Sequence, residues 1–550
     1  MKKTTIIKYT LTAMIPLMAS CQDEWDDHYG TSNPLASTES LWEAMKANAE
    51  LSNFVQLAEN VGYNYYFNGD RMFTVFAPTN ACLSQNGIDS LTTAYNEQKA
   101  RKVKDNDNTV IKQFLQNHIA MYNQSALPNG DSVQMTMLNG KYGYLANDAV
   151  NGIEYLTSNQ LYRNGVLFTV GEKIPYFANV AESFGTADDL DSVASFFDKF
   201  NVYEFDANRS VPGEIVDGKT VYLDSVMNLN NVMFNELGLI NREDSNYWMV
   251  VPVDKEWKRL YDEYKTYYNY DNTVPKRDSL QDIMAHKAIL HGAVFNMNQQ
   301  PSPNDSLIST AYNKSNYRYY KCLSPYAPGG VLDGTSETTC SNGRMFKTDR
   351  WNIDKRTTFF QDIKVEAENT YYRDSLARTP EAASTYGVAT TNPFFGQVSG
   401  NTFVEYVPNN RLVAPMVRYT VPDVLSNIGY DILAVFVPAT AADTLATATL
   451  PLRVEFAIQY NDPEGNLIVP AIELSDDEGN KIHETRPDRM DTVLVASDYK
   501  IPTCSYNVIE PQVRLTIEAQ RASSTTTSTI RLDCIIFKPH EENQTDSPIE

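Results

Sequence analysis

Cysteine is scarce, with six in 550 residues. None stands at a metal-ligand spacing from another, which argues against a zinc site and leaves no metal to expect. Histidine is as scarce: His28, His118, His286, His291, His483 and His540 complete the set, and no pair has the His-Glu-x-x-His spacing. His118 and His291 lie in helical, partly apolar contexts, where a hydrogen-bonded structural histidine is expected rather than a catalyst. A Gly-x-Ser-x-Gly elbow and a glycine-rich phosphate loop are also missing, and with them any expected catalytic residue or cofactor of those classes. Basic charge is in deficit, 46 Lys and Arg against 69 Asp and Glu, for a net charge of −23. That balance argues against nucleic acid, whose phosphates demand a basic face. It argues equally against direct adsorption to anionic lipid. Beyond residue 21 no apolar run is long enough to cross a bilayer.

What is present begins with Cys21. Lys2 and Lys3, an apolar run from Leu11 to Met18 and the small pair Ala19-Ser20 precede it, and Gln22, Asp23, Glu24, Asp26 and Asp27 follow. The apolar run is too short for a spanning helix, and Lys8 stands just before it. The pattern resembles the lipobox of a bacterial lipoprotein, with Met18 where that family more often has Leu. The resemblance implies that residues 1–20 are a signal peptide and that Cys21 becomes N-terminal and acylated. Residues 21–35 would be an acidic tether resembling the export tag of outer-membrane lipoproteins. The expectation is a lipid-anchored protein exposed at the cell surface, with the anchor as its link to the outer membrane.

The length allows three or four domains, and 42% hydrophobic with 21% charged residues is ordinary for globular protein. An internal duplication organises the first part. Ser40-Leu41-Trp42-Glu43 reads as a capping box opening a helix. A strand, Met72 to Ala77, ends in a Pro78-Thr79-Asn80 turn; a helix from Val110 to Met121 carries His118; Asn164-Gly165 turns into a closing strand to Val170. The same order returns: a helix from Leu190 to Phe200, a strand from Tyr247 to Val251 followed by Pro252-Val253-Asp254, a helix from Leu280 to Leu290, and Asn342-Gly343 into a strand to Lys347. Thr74-Val75-Phe76-Ala77-Pro78-Thr79-Asn80 resembles the first signature of the fasciclin domain, and Phe114-Leu115-Gln116-Asn117-His118-Ile119 the second, with Asn117 in place of the usual tyrosine. The second copy is diverged, and His286 and His291 fit its signature only loosely. The resemblance implies α+β modules of a family of cell-surface adhesion and binding proteins.

From about Ile363 the pattern changes to short alternating strands (Thr402 to Tyr406, Leu452 to Tyr460, Val513 to Ile517, Ile530 to Phe537) between turn clusters, which predicts an antiparallel β-sandwich. Ile363-Lys364-Val365-Glu366-Ala367-Glu368 and Arg531-Leu532-Asp533-Cys534-Ile535-Ile536-Phe537 are similar to the ends of jelly-roll carbohydrate-binding modules. The expected fold is therefore α+β: two tandem fasciclin-like domains over residues 36–178 and 179–355, then a jelly-roll-like β-sandwich over 360–540 and a polar tail over 541–550. In an oxidising envelope Cys322–Cys340 and Cys504–Cys534 could each close a disulfide, a pairing that spacing leaves open, and Cys82 would be a buried free thiol.

Tyrosine is the abundant chemistry. Tyr264, Tyr267 and Tyr268 crowd one segment and Tyr317, Tyr319 and Tyr320 another, with Asn269 and Asn316 beside them. Tyrosine rings stack on the CH faces of sugars while amides bond their hydroxyls, so these six are the candidate ligand-binding residues; the plainer alternative is packing at a core rim. All five tryptophans precede the C-terminal region, so a stacking platform there would rest on Tyr or Phe. Asp-Ser/Thr-aliphatic triplets, such as Asp131-Ser132-Val133 and Asp374-Ser375-Leu376, resemble an O-glycosylation sequon of envelope proteins and serve equally as helix caps. The sequence thus points to a non-catalytic surface lipoprotein, not an enzyme. It would bind extracellular polysaccharide as an accessory to an uptake system. The alternative is an adhesin or assembly protein contacting a surface protein partner through its fasciclin domains.

Overall fold

The computed structural model describes residues 38–69, 71–126, 132–216, 218–300, 302–313, 318–379, 383–410, 412–442 and 449–540. Cys21, segments 1–20 and 21–35, Tyr317 and the tail 541–550 lie outside the described residues. The fold is α+β, with mixed modules first and an all-antiparallel sandwich last. The chain divides into two compact units after Ala178.

The first unit is built on one seven-stranded sheet in the order Ile119–Met121, Phe73–Pro78, Gly165–Val170, Ile153–Tyr162, Ala149–Val150, Tyr142–Leu145, Val133–Thr136. At its centre Phe73–Pro78 and Gly165–Val170 run parallel, Phe73 opposite Gly165 and Pro78 opposite Val170. Every residue of both strands is buried, because each face is covered. Phe73, Val75, Ala77 and Leu167 face a helical layer with Leu41, Phe54, Leu57 and Leu115. Phe76, Val166, Phe168 and Val170 face the opposite side with Met135, Met137, Leu145 and Val150. The capping box forms as the sequence indicates: Glu43 N–H donates to Ser40 Oγ (3.2 Å) and Ser40 N–H donates to Glu43 Oε2 (2.8 Å).

The closing Asn-Gly pair is a clamp. Asn164 Nδ2 donates to the carbonyls of Phe67 (2.7 Å) and Gly69 (2.8 Å), and its Oδ1 accepts from Leu41 N–H (2.8 Å). Gly165, at φ +154°, lies so close to the neighbouring strand that a Cβ there would stand 2.0 Å from Phe73 O. The duplication repeats this atom for atom. Asn342 Nδ2 donates to Ile240 O (2.8 Å) and Arg242 O (3.0 Å), and its Oδ1 accepts from Val180 N–H (2.9 Å). A Cβ on Gly343 would stand 1.8 Å from Tyr247 O. Tyr247–Pro252 and Gly343–Thr348 form the same central parallel pair in a six-stranded sheet, Tyr247 opposite Gly343.

The histidines are structural in both copies. His118 is fully buried; its Nε2 accepts from Ile174 N–H (3.0 Å), so Nδ1 carries the proton and donates to Phe114 O (2.8 Å). Asn117 Nδ2 holds the carbonyl of the same Ile174 (3.0 Å), which is what the residue in the usual tyrosine position does here. His286 bonds the carbonyl of Asp282 through Nδ1 (2.7 Å) and stacks on Tyr261 at 4.4 Å. His291 is half-buried, with its Nε2 atom inaccessible and lacking a hydrogen-bond partner among the described residues.

From Ile363 on, two six-stranded antiparallel sheets face each other. One orders Ser384–Gly387, Thr402–Tyr406, Ile530–Pro539, Gly429–Phe436 and Asp491–Lys500, with Ile363–Glu366 also on Ile530–Pro539. The other orders Arg373–Ala377, Met416–Thr420, Arg514–Ala519, Arg453–Gln459 and Ile472–Glu473, with Ile482–Glu484 on Arg453–Gln459. Alternate residues such as Val417, Tyr419, Leu515, Ile517, Ile432 and Phe537 fill the interior.

The sandwich shares its core with the second fasciclin-like copy. One buried cluster runs from Val180 to Phe537 and includes Tyr264, Tyr268, Tyr270, Phe359, Tyr430 and Cys504. The segment after helix Asp254–Tyr264 is the wedge. Ser426 N–H donates to Tyr267 O (2.9 Å), Cys504 N–H to Asn269 O (2.7 Å), Tyr270 Oη–H to Tyr506 O (2.9 Å) and Asn461 Nδ2 to Asp271 Oδ2 (3.1 Å). Burying these backbone groups without partners would cost about 1–3 kcal/mol each, so the wedge fits only when both halves are folded.

Two outcomes are expected. Burial pushes the His118 pKa down to about 4, so the folded first unit excludes a proton that the unfolded chain takes up near 6.5. Stability of residues 38–178 is therefore expected to fall as pH drops from about 6.5 to about 4, by about 3 kcal/mol. His118→Gln, measured by urea unfolding across that range, should be less stable at pH 7 and show a flatter pH profile. Tyr268→Ala should cost about 3–5 kcal/mol. In hydrogen exchange, protection at Val250 and at Leu515 should drop together; a loss confined to one of them would show two independently stable halves.

Candidate functional site

The structure corrects the tyrosine assignment. Tyr264 and Tyr268 are buried in the shared core, and Tyr267 packs against Phe360 at 5.0 Å and accepts from Lys355 Nζ (2.8 Å). Tyr264 and Tyr268 join the helical layer of the second copy to the sandwich and offer no face to a ligand, and Tyr267 is half-buried beside them. Their helical spacing put one side inward, and the sandwich covers what the second copy alone would leave at the surface. Tyr320 is half-buried against His291 at 5.6 Å. Tyr319 remains exposed (55%), edge-on to its cross-strand neighbour Tyr312 at 5.1 Å.

The two disulfides do not form; Cys82, Cys322, Cys340, Cys504 and Cys534 are all free thiols. Cys322 lies on Arg318–Leu323 and Cys340 on Ser336–Cys340, the opposite edges of the six-stranded sheet. Five strand spacings separate them by about 24 Å, whereas a disulfide needs Cα atoms under about 7 Å apart. Cys504 lies in the shared core, where burial pushes its pKa up to about 12. Cys534 instead places Sγ among the carboxylates of Glu366 and Asp533. Cys82 is half-buried, its Sγ 3.3 Å from Thr79 O.

Two features escaped the sequence. One is a long antiparallel ribbon, Asn201–Val216 with Lys219–Asn231, which carries exposed Tyr203 (64%) and Phe205. Its turn signal, Asp217-Gly218 between two apolar runs, was there to be read. The other is a shallow, open depression at one end of the sandwich, where strands of both sheets begin or finish. Its polar lining is Thr449, Thr485, Arg486, Arg489, Thr527, Thr529 and Arg531. Backbone and hydroxyl bonds hold its walls: Leu452 N–H donates to Thr485 Oγ1 (3.0 Å), Thr527 N–H to Pro451 O (2.9 Å) and Val437 N–H to Arg531 O (3.0 Å). Among the described residues no carboxylate is part of the lining.

Spacing pointed to no metal, yet strand pairing brings Glu366 opposite Cys534 and gathers one ligand atom each from Glu366, Asp533 and Cys534 within 4.8 Å of one another. Ser399 holds the group from outside: its N–H donates to both Asp533 oxygens (3.1 and 3.2 Å) and its Oγ–H to Glu366 Oε1 (2.6 Å). Glu366 Oε2 and Glu368 Oε2 are buried with no hydrogen-bond partner among the described residues. Burial, and then the charges of Glu366 and Glu368, push Asp533 up to about 7, while burial raises the Cys534 thiol and keeps it protonated. Lys364 Nζ, 3.0 Å from Glu366 Oε1, offsets part of the negative charge. Carboxylate oxygens without partners suit a hard cation such as calcium; a protonated thiol does not suit a soft one. Millimolar calcium is expected to raise the Tm of chelator-treated protein, and Asp533→Asn to abolish the rise, as read by scanning calorimetry. Equal Tm values with calcium and with chelator would show that Lys364 and the Ser399 hydrogen bonds suffice.

With this geometry in place, comparison with known proteins adds the following. Residues 49–174 match the family model of the Fasciclin domain. No curated protein matches the chain. Among solved structures the chain is similar to a FAS1 domain pair from the insect cell adhesion molecule Fasciclin I, at 14% identity over 56% of this chain and 99% of that one, with a TM-score of 0.19. It is similar to a Paenibacillus xanthan lyase at 13% identity over 36% of this chain and 15% of that one, with a TM-score of 0.21. It is also similar to the CBM22-1 xylan-binding domain of Paenibacillus barcinonensis Xyn10C, at 10% identity over 33% of this chain and 96% of that one, with a TM-score of 0.20. The segment that matches the Fasciclin domain model, residues 49–174, is the one that contains the doubly covered strand pair clamped by Asn164.

Proposed function

We propose that this chain is a non-catalytic binding protein, anchored in the outer membrane through acylated Cys21, whose C-terminal sandwich captures extracellular glycan for a polysaccharide-uptake system. The observation that carries the reading is the depression at the end of the sandwich. Its hydroxyl and guanidinium groups are suited to the oxygens of a sugar, and no acid pair accompanies them. A lipid anchor would hold captured glycan at a high local concentration beside the cell.

A second reading, adhesion to a protein partner, is favoured by the ribbon with its exposed Tyr203 and Phe205, two residues apart on one strand, since aromatic residues are enriched at protein interfaces. One experiment separates the two. The soluble chain from Gln22 on is run through native gels containing plant, host or microbial polysaccharides. Retardation by at least one class is expected, with Tyr203→Ser migrating as the parent does. No retardation by any polysaccharide would overturn glycan capture and leave the ribbon as the contact surface.

A further inference from the structure

We infer that the depression receives the anionic group of an acidic saccharide, a carboxylate or a sulfate; this rests on the glycan reading above. The argument is one of donors and acceptors. Three guanidiniums, Arg486, Arg489 and Arg531, belong to the lining, and the carboxylates that pair with them do not. Asp491, which is buried, accepts from Arg486 Nε (2.7 Å) and from Arg486 N–H (2.8 Å). Asp488 accepts from Arg489 Nε (3.1 Å) and Nη2 (2.8 Å), and Glu405 Oε2 lies 2.6 Å from Arg531 Nε. For Arg486 and Arg489 the Nε–Nη2 edge of the planar fork is thus taken up, and Nη1 makes no hydrogen bond among the described residues. The acids orient the arginines and leave one donor edge of each.

The hydroxyls act in the same sense. Thr485 Oγ1 accepts from Leu452 N–H, and Thr527 Oγ1 accepts from Thr529 N–H (3.1 Å). Each oxygen has one of its two lone pairs engaged and keeps its own proton to donate. A neutral sugar brings hydroxyls that need acceptors as much as donors, and it gains from an aromatic ring under its CH face. Among the described residues the depression has neither a carboxylate nor an exposed ring: Phe436, which also borders it, is buried and packs against Phe456 at 6.4 Å. An anionic group, which only accepts, is what a wall of donors matches.

The net charge of −23 makes the test discriminating, because the rest of the surface repels polyanions. At 0.15 M salt, with a screening length of about 8 Å, only a local site can hold one. The soluble chain from Gln22 on is titrated calorimetrically with polygalacturonate, chondroitin sulfate, dextran and neutral xylan. Binding to a polyanion but to neither neutral polymer is expected, with polygalacturonate and chondroitin sulfate separating carboxylate from sulfate. Arg489→Ala is expected to weaken that binding at least tenfold. Arg489 and its partner Asp488 are both exposed, so this variant folds; Arg486→Ala, whose partner Asp491 is buried, is read beside it. Arg489→Lys should recover part of the affinity. Polyanion binding unchanged in both alanine variants would overturn the assignment. Binding to dextran or xylan that survives both would overturn it while leaving glycan capture intact. No binding to any of the four, together with no retardation in the wider panel, would overturn glycan capture itself.

Discussion

Each fasciclin-like copy depends on bringing two parallel strands together in the middle of its sheet with both faces covered. Such a pair has no solvent-facing side, so its ends must be satisfied by protein groups. An Asn-Gly dipeptide meets that need twice. The asparagine amide answers two carbonyls and one N–H of the flanking segments, and the missing glycine Cβ lets the next residue enter the ladder beside Phe73 or Tyr247. Alanine has no amide to offer, and any side chain on the glycine would strike a backbone carbonyl. The helix starts at Leu41 and Val180 and the closing strands are all fixed from this point.

The second copy differs from the first less in its sheet than in what lies beyond it. In the first unit the helical layer ends in its own buried cluster around Phe54 and Leu57. In the second, the tyrosines after helix Asp254–Tyr264 continue into the sandwich interior, the backbone from Thr266 to Asn272 bonds to Ser426, Asn427, Pro463 and Cys504, and the Asp271 carboxylate accepts from Asn461. A module boundary that is plain in the residue pattern near Ile363 is therefore crossed by a continuous core. The sandwich end that holds the arginines is supported on strands of that same unit.

Two charged groupings in the sandwich show opposite uses of carboxylates. Around Glu366, Glu368 and Asp533, acids converge, burial and the neighbouring charges raise the affinity of Asp533 for a proton, and oxygens are left without hydrogen bonds among the described residues. At the depression, Asp488, Asp491 and Glu405 stand outside the lining and position arginines in it. The first arrangement favours a cation within the fold, the second an anion brought from outside.

Local signals carried a good deal. The capping box at Ser40 and Glu43, the two Asn-Gly turns, the duplicated strand-helix order and the alternating strands after Ile363 were legible because each depends on backbone preference or on period alone. The buried state of His118 followed from its apolar helical context. The roles of the tyrosines and cysteines did not. Tyr268 looks the same in sequence whether water or a second domain faces it, and Cys322 and Cys340 are close in sequence while standing on opposite edges of a sheet. Glu366 and Asp533 are far apart along the chain and meet through one antiparallel register, and the arginine-lined depression draws on four separate loops. The sequence by itself determined the elements and their order, since hydrophobic period and turn chemistry act over a few residues. Only the tertiary structure decided which surfaces are covered and which charges converge, because those depend on strand register and on cores shared between distant segments.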